Sequence, residues 1–277
     1  RPFSIVLDDL SADGIGAAFD KYSSDYDDYT ARNIELLPEG YDLLDSIPRV
    51  ALIPGLGAIT SGSSLAEAKM VAEIALHTHK VASQVLDSFG VGESMPDSEI
   101  FRFEYWPMEL YKLSLKPGPK KFSARVFIVT GAASGIGLGV SKHLASLGSS
   151  LVLADLNEEK LDVVRAQLEN DHGIDVVAVP GDQSDPDVVS ATVLAAVEAF
   201  GGLDGIVANA GIAVTDSLAD LDFDRWKKAL EVNLDSAFLL AQGAIRLMEK
   251  QAMGGSLWFS MHRKMRSLLG LASVPTR

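Results

Sequence analysis

The stretch Val126-Phe127-Ile128-Val129-Thr130-Gly131-Ala132-Ala133-Ser134-Gly135-Ile136-Gly137 decides how this chain is read. Its apolar start runs without alternation, as in a parallel strand covered on both faces. The glycines that follow suit a sharp turn from strand into helix. Gly131 permits the turn, Gly135 lets the backbone approach a pyrophosphate, and Gly137 lets the helix pack close to the strand. The helix start then offers N–H groups and a positive dipole end to phosphates. The stretch reads as a nucleotide site.

A glycine cluster alone is weak evidence, and its surroundings strengthen it. Asp155 ends the next apolar run, Leu151-Val152-Leu153-Ala154. It stands about 20 residues past the loop, where a ribose-binding acid belongs. A carboxylate there accepts from both ribose hydroxyls and repels a 2′-phosphate, which favours NAD over NADP. The competing reading makes Asp155 a helix N-cap before Asn157-Glu158-Glu159.

From residue 125 onward, apolar runs alternate with helical periodicity. Strands are predicted at 126–130, 151–154, 175–179, 204–208 and 256–260. Helices are predicted at 135–147, 157–170, 186–200 and 222–250. This alternation implies right-handed crossovers and an α/β, Rossmann-like, doubly wound parallel sheet. Asp182-Gln183 and Asn209-Ala210-Gly211 follow predicted strands, at the sheet end where ligands bind in such folds. Asn233 lies inside the last predicted helix.

The spaced set TGAASGIG, Asp155, Asp182, ANAG and VNL resembles the short-chain dehydrogenase/reductase family over about residues 122–260. The resemblance implies that NAD is held by Thr130, Gly131, Ser134, Gly135, Ile136 and Gly137. Asp155, Leu156, Asp182 and Gln183 would add to that site. Asp182 would hold the adenine edge, and Asn209, Ala210 and Gly211 would shape the wall beside the ribose. Asn233 would be the asparagine of the catalytic tetrad, bending its helix and holding a water for proton relay. The implied reaction interconverts a small alcohol or hydroxy-aldehyde, such as lactaldehyde, with its oxidised form. Self-association is implied as well, because the family commonly forms tetramers.

Residues 1–115 differ in character. They carry 19 acids against 8 bases, whereas residues 116–277 carry 19 against 16. The acidity disfavours nucleic acid or an anionic membrane as partner. The proline-glycine-lysine segment 116–121 reads as the linker. No apolar run reaches the length of a membrane span, and there is no cysteine, which is compatible with a reducing cytoplasm. The chain begins with Arg1, which suggests a fragment or a processed product. The runs IPGLGAITSG and FEYWPMELYKL are similar to the end of the aldolase half of bifunctional class II aldolase/short-chain dehydrogenases. Residues 1–115 are thus expected to be the C-terminal remnant of an aldolase-like domain. His77 and His79 point in different directions on a predicted helix, so no metal site and no aldolase activity are expected. Asp9-x-Ser11-x-Asp13-Gly14, ending at Asp20, imitates a calcium loop but has little room for an entering helix. Asp25-Tyr26-Asp27-Asp28 reads as a solvated segment, and Tyr105 and Trp106 as packing at the seam between the two parts.

The family's chemistry needs a serine after the fifth strand and then Tyr-x-x-x-Lys. No tyrosine follows Tyr111, and His262 stands near the expected serine. Residues 261–277 form an atypical tail. Read in the shifted frame from the last base of the Met261 codon, that tail permits Ala-Ser-Lys-Asn-Ala-Val-Ala-Pro-Gly-Pro-Gly-Phe-Gly-Ala-Tyr-Ser. This resembles the family's segment from catalytic serine to catalytic tyrosine. The first alanine is forced by the code, while most other positions need a chosen third base. A frameshift near residues 256–260 and a genuinely divergent terminus are both open. The chain as written is expected to bind NAD weakly or not at all and to transfer no hydride. The alternatives are a non-catalytic dinucleotide-binding module and a sugar-phosphate aldolase fragment.

Overall fold

A computed structural model of the chain describes residues 3–115, 118–217 and 219–251, and the backbone of 256–259. The chain divides into two compact units, Arg1–Gly118 and Pro119–Arg277.

The first unit holds a small sheet of β1 (Ile5–Val6), β2 (Val50–Ile53) and β3 (Gly57–Thr60), in that order. β1 pairs parallel to β2, and β2 antiparallel to β3. Four helices accompany it: α1 (Ala12–Asn33), α2 (Leu65–Phe89), α3 (Asp97–Glu104) and α4 (Pro107–Ser114). Its core is aromatic, with Tyr22, Tyr26 and Tyr29 of α1 packed with Phe101, Tyr105 and Leu110. The spacing i, i+4, i+7 puts the three α1 tyrosines on one face. This corrects two expectations. Tyr26 in the acidic run is buried, while Asp25, Asp27 and Asp28 face water. Tyr105 belongs to this unit's own core, where its hydroxyl lies 3.0 Å from that of Tyr26 and accepts from Leu44 N–H at 3.2 Å. Trp106, next in sequence, is half exposed. Burial pushes the Tyr29 phenol above its ordinary pKa, and Glu104 adds to the effect. The segment that imitates a calcium loop is a helix start. Ser11 caps α1 by accepting from Gly14 N–H, and Asp9 accepts from Ser11 N–H at 2.8 Å.

The second unit is a five-stranded, all-parallel sheet in the order β6-β5-β4-β7-β8. The strands are β4 (Val126–Thr130), β5 (Ser150–Asp155), β6 (Val176–Pro180), β7 (Gly205–Ala208) and β8 (Ser256–Phe259). Between them run α5 (Gly135–Ser146), α6 (Glu158–His172) and α7 (Pro186–Phe200), then α8 (Phe223–Leu230) and α9 (Ser236–Met248). The predicted Rossmann-like α/β architecture is what forms. The unbroken apolar runs find cover on both faces. Phe127, Val129, Leu151 and Leu153 pack with Leu144, Leu161 and Leu168 on one face. Val126, Ile128, Val152 and Ile206 pack with Val189, Ala196, Leu240 and Ala244 on the other. At the strand starts, Asp204 accepts from Val126 N–H at 2.9 Å and from Arg125 at 2.5 Å, tying β4 to β7.

The helix predicted at 222–250 runs unbroken from Phe223 to Met248, but not as a single α-helix. A π turn, Glu231–Asp235, separates α8 from α9, and Ser236 N–H bonds the Glu231 carbonyl five residues back. Hydrophobic period alone does not register one inserted residue.

Candidate functional site

From β4 the chain winds outward through β5 to β6, then crosses back to β7 on the far side of β4. The strand order therefore reverses between β4 and β7. In open parallel sheets the crevice beyond the strand ends at such a point is where ligands bind. Every residue singled out from the sequence between Thr130 and Asn233 lies at or beside the C-terminal end of this sheet or in the π turn next to it.

The glycine turn is held from below. The Thr130 hydroxyl accepts from the N–H groups of Asn209 and Ala210, both at 3.0 Å. The Asn209 amide donates to the Thr130 carbonyl at 3.0 Å. These bonds join the end of β4 to the end of β7. Gly131 has a left-handed backbone, and a Cβ there would stand 2.9 Å from the Asn209 amide nitrogen. Gly137 is constrained by packing, since a Cβ would come within 2.1 Å of the Gly131 carbonyl oxygen. Gly135 is different. Its φ is +54°, and nothing lies within 4 Å of where a Cβ would be. Ser134, Gly135 and Ile136 are exposed at the start of α5, whose first N–H groups have no partner inside the helix. An open glycine at a helix N-terminus suits the close approach of a phosphate.

Asp155 spans two neighbours. One carboxylate oxygen accepts from Ala133 N–H at 2.9 Å, and the other from Asn157 N–H at 3.0 Å. The carboxylate thus ties the glycine turn to the end of β5. It is not the cap of α6, because Asn157 accepts from Lys160 N–H and fills that role. Leu156 beside it is 76% exposed and forms an apolar rim.

Asp182 follows β6, past Gly181, where a Cβ would meet Val188 at 2.7 Å. One Asp182 oxygen accepts from Ser184 N–H at 2.9 Å and from the Ser184 hydroxyl at 2.7 Å. The other accepts from Lys228 of α8 at 2.9 Å. Lys228 first, then Ser184, holds this carboxyl at a pKa of about 2. Neighbouring Gln183 is buried, and its side chain reaches Thr192 at 3.4 Å. Lys228 was not legible as part of the site. It lies 46 residues from Asp182 on a surface helix, with no local pattern to mark it.

Beyond β7, a Cβ on Gly211 would meet the Asn233 side-chain oxygen at 2.9 Å. That oxygen accepts from Ile212 N–H at 2.8 Å, and the Asn233 amide donates to the Ile212 carbonyl at 2.9 Å. Asn233 sits in the π turn, so the helix irregularity and the strand-end loop are joined by one side chain. His262, together with the rest of the tail, lies outside the described residues. Among the described residues, no group of three or more His, Asp and Glu gathers as a metal site would require. No described helix is long and apolar enough to cross a membrane.

A doubly wound parallel sheet with a glycine turn at its reversal point defines a Rossmann-type fold. Residues 125–257 match the short chain dehydrogenase family, and residues 4–113 match the second domain of class II aldolases. The second unit belongs to the short-chain dehydrogenase family, and an aldolase-type domain precedes it in the same chain. An uncharacterised oxidoreductase of Bacillus subtilis strain 168, YuxG, is 33% identical over 90% of this chain and 36% of its own length. A cis-4-hydroxycyclohexanecarboxylate dehydrogenase of Sinomonas cyclohexanicum is 40% identical over 48% of this chain and 53% of its own. The chain spans about half or less of the length of these curated relatives. Among solved structures, L-sorbose reductase from Gluconobacter frateurii, in complex with NADPH and L-sorbose, is 28% identical with a TM-score of 0.49. That match covers 51% of this chain and 54% of the reductase.

Proposed function

We propose that the crevice at the ends of β4, β5, β6 and β7 is an NAD site, and that the whole protein is a short-chain dehydrogenase acting on a small alcohol or hydroxy-aldehyde. Lactaldehyde from sugar breakdown is the substrate we favour. The observation that carries this reading is Asp155. Its carboxylate stands at the end of β5 while holding the glycine turn through Ala133 N–H. An acid there has oxygens to accept from ribose hydroxyls and a charge that repels a 2′-phosphate.

The residues present suit the dinucleotide. Open space beside Gly135 leaves room for the pyrophosphate at the start of α5. Asp182 would take the adenine edge, Asn209 to Gly211 would wall the ribose, and Asn233 would fix the loop at Ile212. The nicotinamide, when bound, supplies the hydride acceptor or donor. Proton exchange with the substrate oxygen needs a group that residues 112–277 lack, since no tyrosine follows Tyr111. Without that group the chain does not turn over, which is also how a non-catalytic binding module would behave. Residues 1–115 form the aldolase-type part without aldolase activity, residues 116–121 the linker, and 122–260 the dinucleotide domain. We place the protein in the cytoplasm and expect it to self-associate.

Two measurements test the reading. Titration with NAD+ and NADP+ should show binding of the first and at least tenfold weaker binding of the second. Equal affinity would remove the role of Asp155. The nucleotide sequence from the Gly254 codon onward should carry an open shifted frame with Tyr-x-x-x-Lys. Third bases that disagree with that frame would make the tail genuine and the protein a binding module.

A further inference from the structure

We propose that Lys228 is a positioning residue for the adenine half of the site, fixing the Asp182 carboxylate so that one acceptor direction stays open to the adenine amino group. The inference rests on reading the crevice as a dinucleotide site.

An ionised carboxylate has about four directions in which it accepts hydrogen bonds. Three of those on Asp182 are occupied. Ser184 N–H and the Ser184 hydroxyl take one oxygen, at 2.9 and 2.7 Å, and Lys228 Nζ takes the other at 2.9 Å. Lys228 also reaches the Ser184 hydroxyl at 3.1 Å, so ammonium, hydroxyl and carboxylate form a closed ring of contacts. Ser184 is two residues from Asp182 and moves with it. Lys228 comes from α8, directly ahead of the π turn that carries Asn233. It is therefore the contact that anchors this carboxylate to a separate element. Glu231, 3.7 Å away, shares the ammonium and keeps it over the end of α8. The remaining acceptor direction lies on the oxygen that Lys228 holds. A ligand amino group hydrogen is the donor that fits it, and adenine carries one.

A structural salt bridge and a positioning residue differ in one measurable way. If Lys228 acts through the bond between Asp182 and the adenine amino group, its loss matters only for ligands that make that bond. Etheno-NAD+, whose adenine amino nitrogen is closed into a ring and donates no hydrogen bond, is the control. Binding of both dinucleotides to the whole chain should be titrated into the millimolar range for wild type, Lys228→Met and Lys228→Arg. Thermal melts would verify that each variant is folded. Wild type should prefer NAD+ over etheno-NAD+. Lys228→Met should weaken NAD+ by about two- to fivefold, the scale of one exposed ion pair, and leave etheno-NAD+ unchanged. Lys228→Arg should restore most of the loss. Equal losses for both ligands, no loss for either, or tighter NAD+ binding in Lys228→Met would overturn the proposal. Failure of wild type to bind NAD+ at all would be seen before any variant is made. That result would remove the dinucleotide reading itself and this inference with it.

Discussion

Gly137 and Gly139 lie two residues apart in α5 and should respond oppositely to the same substitution. An alanine Cβ at Gly137 would sit 2.1 Å from the Gly131 carbonyl oxygen and 2.6 Å from the Asn209 amide nitrogen. Neither neighbour can yield cheaply. The first is backbone in the glycine turn, and the second is held by Thr130. Overpacking of this kind costs about 1–3 kcal/mol. At Gly139 nothing lies within 4 Å of the added atom. There alanine removes the helix-interior penalty of glycine, a gain of about 0.5–1 kcal/mol. The two variants should then differ by about 1.5–4 kcal/mol, or roughly 5–12 °C in the melting of the second unit. Hydrogen exchange would localise the effect, with Gly137→Ala speeding exchange in β4 and the Asn209 loop and Gly139→Ala slowing it in α5. NAD+ binding should fall in Gly137→Ala, because the turn must move. If Gly137→Ala melts with Gly139→Ala and keeps wild-type exchange, the packing argument for the third glycine is wrong.

Asp155→Asn should narrow the preference for NAD+ over NADP+ by at least tenfold in direct titrations, since the 2′-phosphate no longer meets a charge. An unchanged ratio would assign the discrimination elsewhere. Asn233→Ala strips Ile212 of bonds to both its N–H and its carbonyl. That should cost about 1–2 kcal/mol and raise exchange at Ile212, and unaltered exchange there would show that the side chain does not hold the loop. Asp182 is held at a pKa of about 2, so whatever it adds to stability is present above the ordinary carboxylate pKa of 3.8 and lost as pH falls through about 2. Acid titration of the folded chain should therefore show the wild-type advantage over Asp182→Asn intact at pH 4. Complete loss of that advantage by pH 4 would contradict the Lys228 contact.

Most of the second unit was legible because each of its signals is local. Val126 to Val129 lack alternation, and the strand they form is buried on both faces. Strand ends moved by about one residue: β6 begins at Val176, where its pairing with Leu151 of β5 starts. The acidic run around Tyr26 reads as wholly solvated, and the structure departs from that for a related reason. Its charges are local and obvious, while the burial of Tyr26 depends on Phe101 and Tyr105, more than 70 residues away. The Asp155 cap reading failed because Asn157, equally able to cap, was two residues closer to the helix start.

The sequence by itself determined that a parallel, doubly wound sheet forms, that a glycine turn follows its first strand, and that an acid closes the second. Each of those follows from residue type, backbone freedom and apolar period within a short window. The tertiary structure alone decided that Thr130 and Asn209 join two strand ends, that Asn233 sits in a π turn bonded to Ile212, and that Lys228 holds Asp182. These contacts cross 21 to 79 residues of chain. Their geometry is set by how the strands are ordered and how the helices lie on the sheet, and no local pattern encodes a distance between side chains so far apart in sequence.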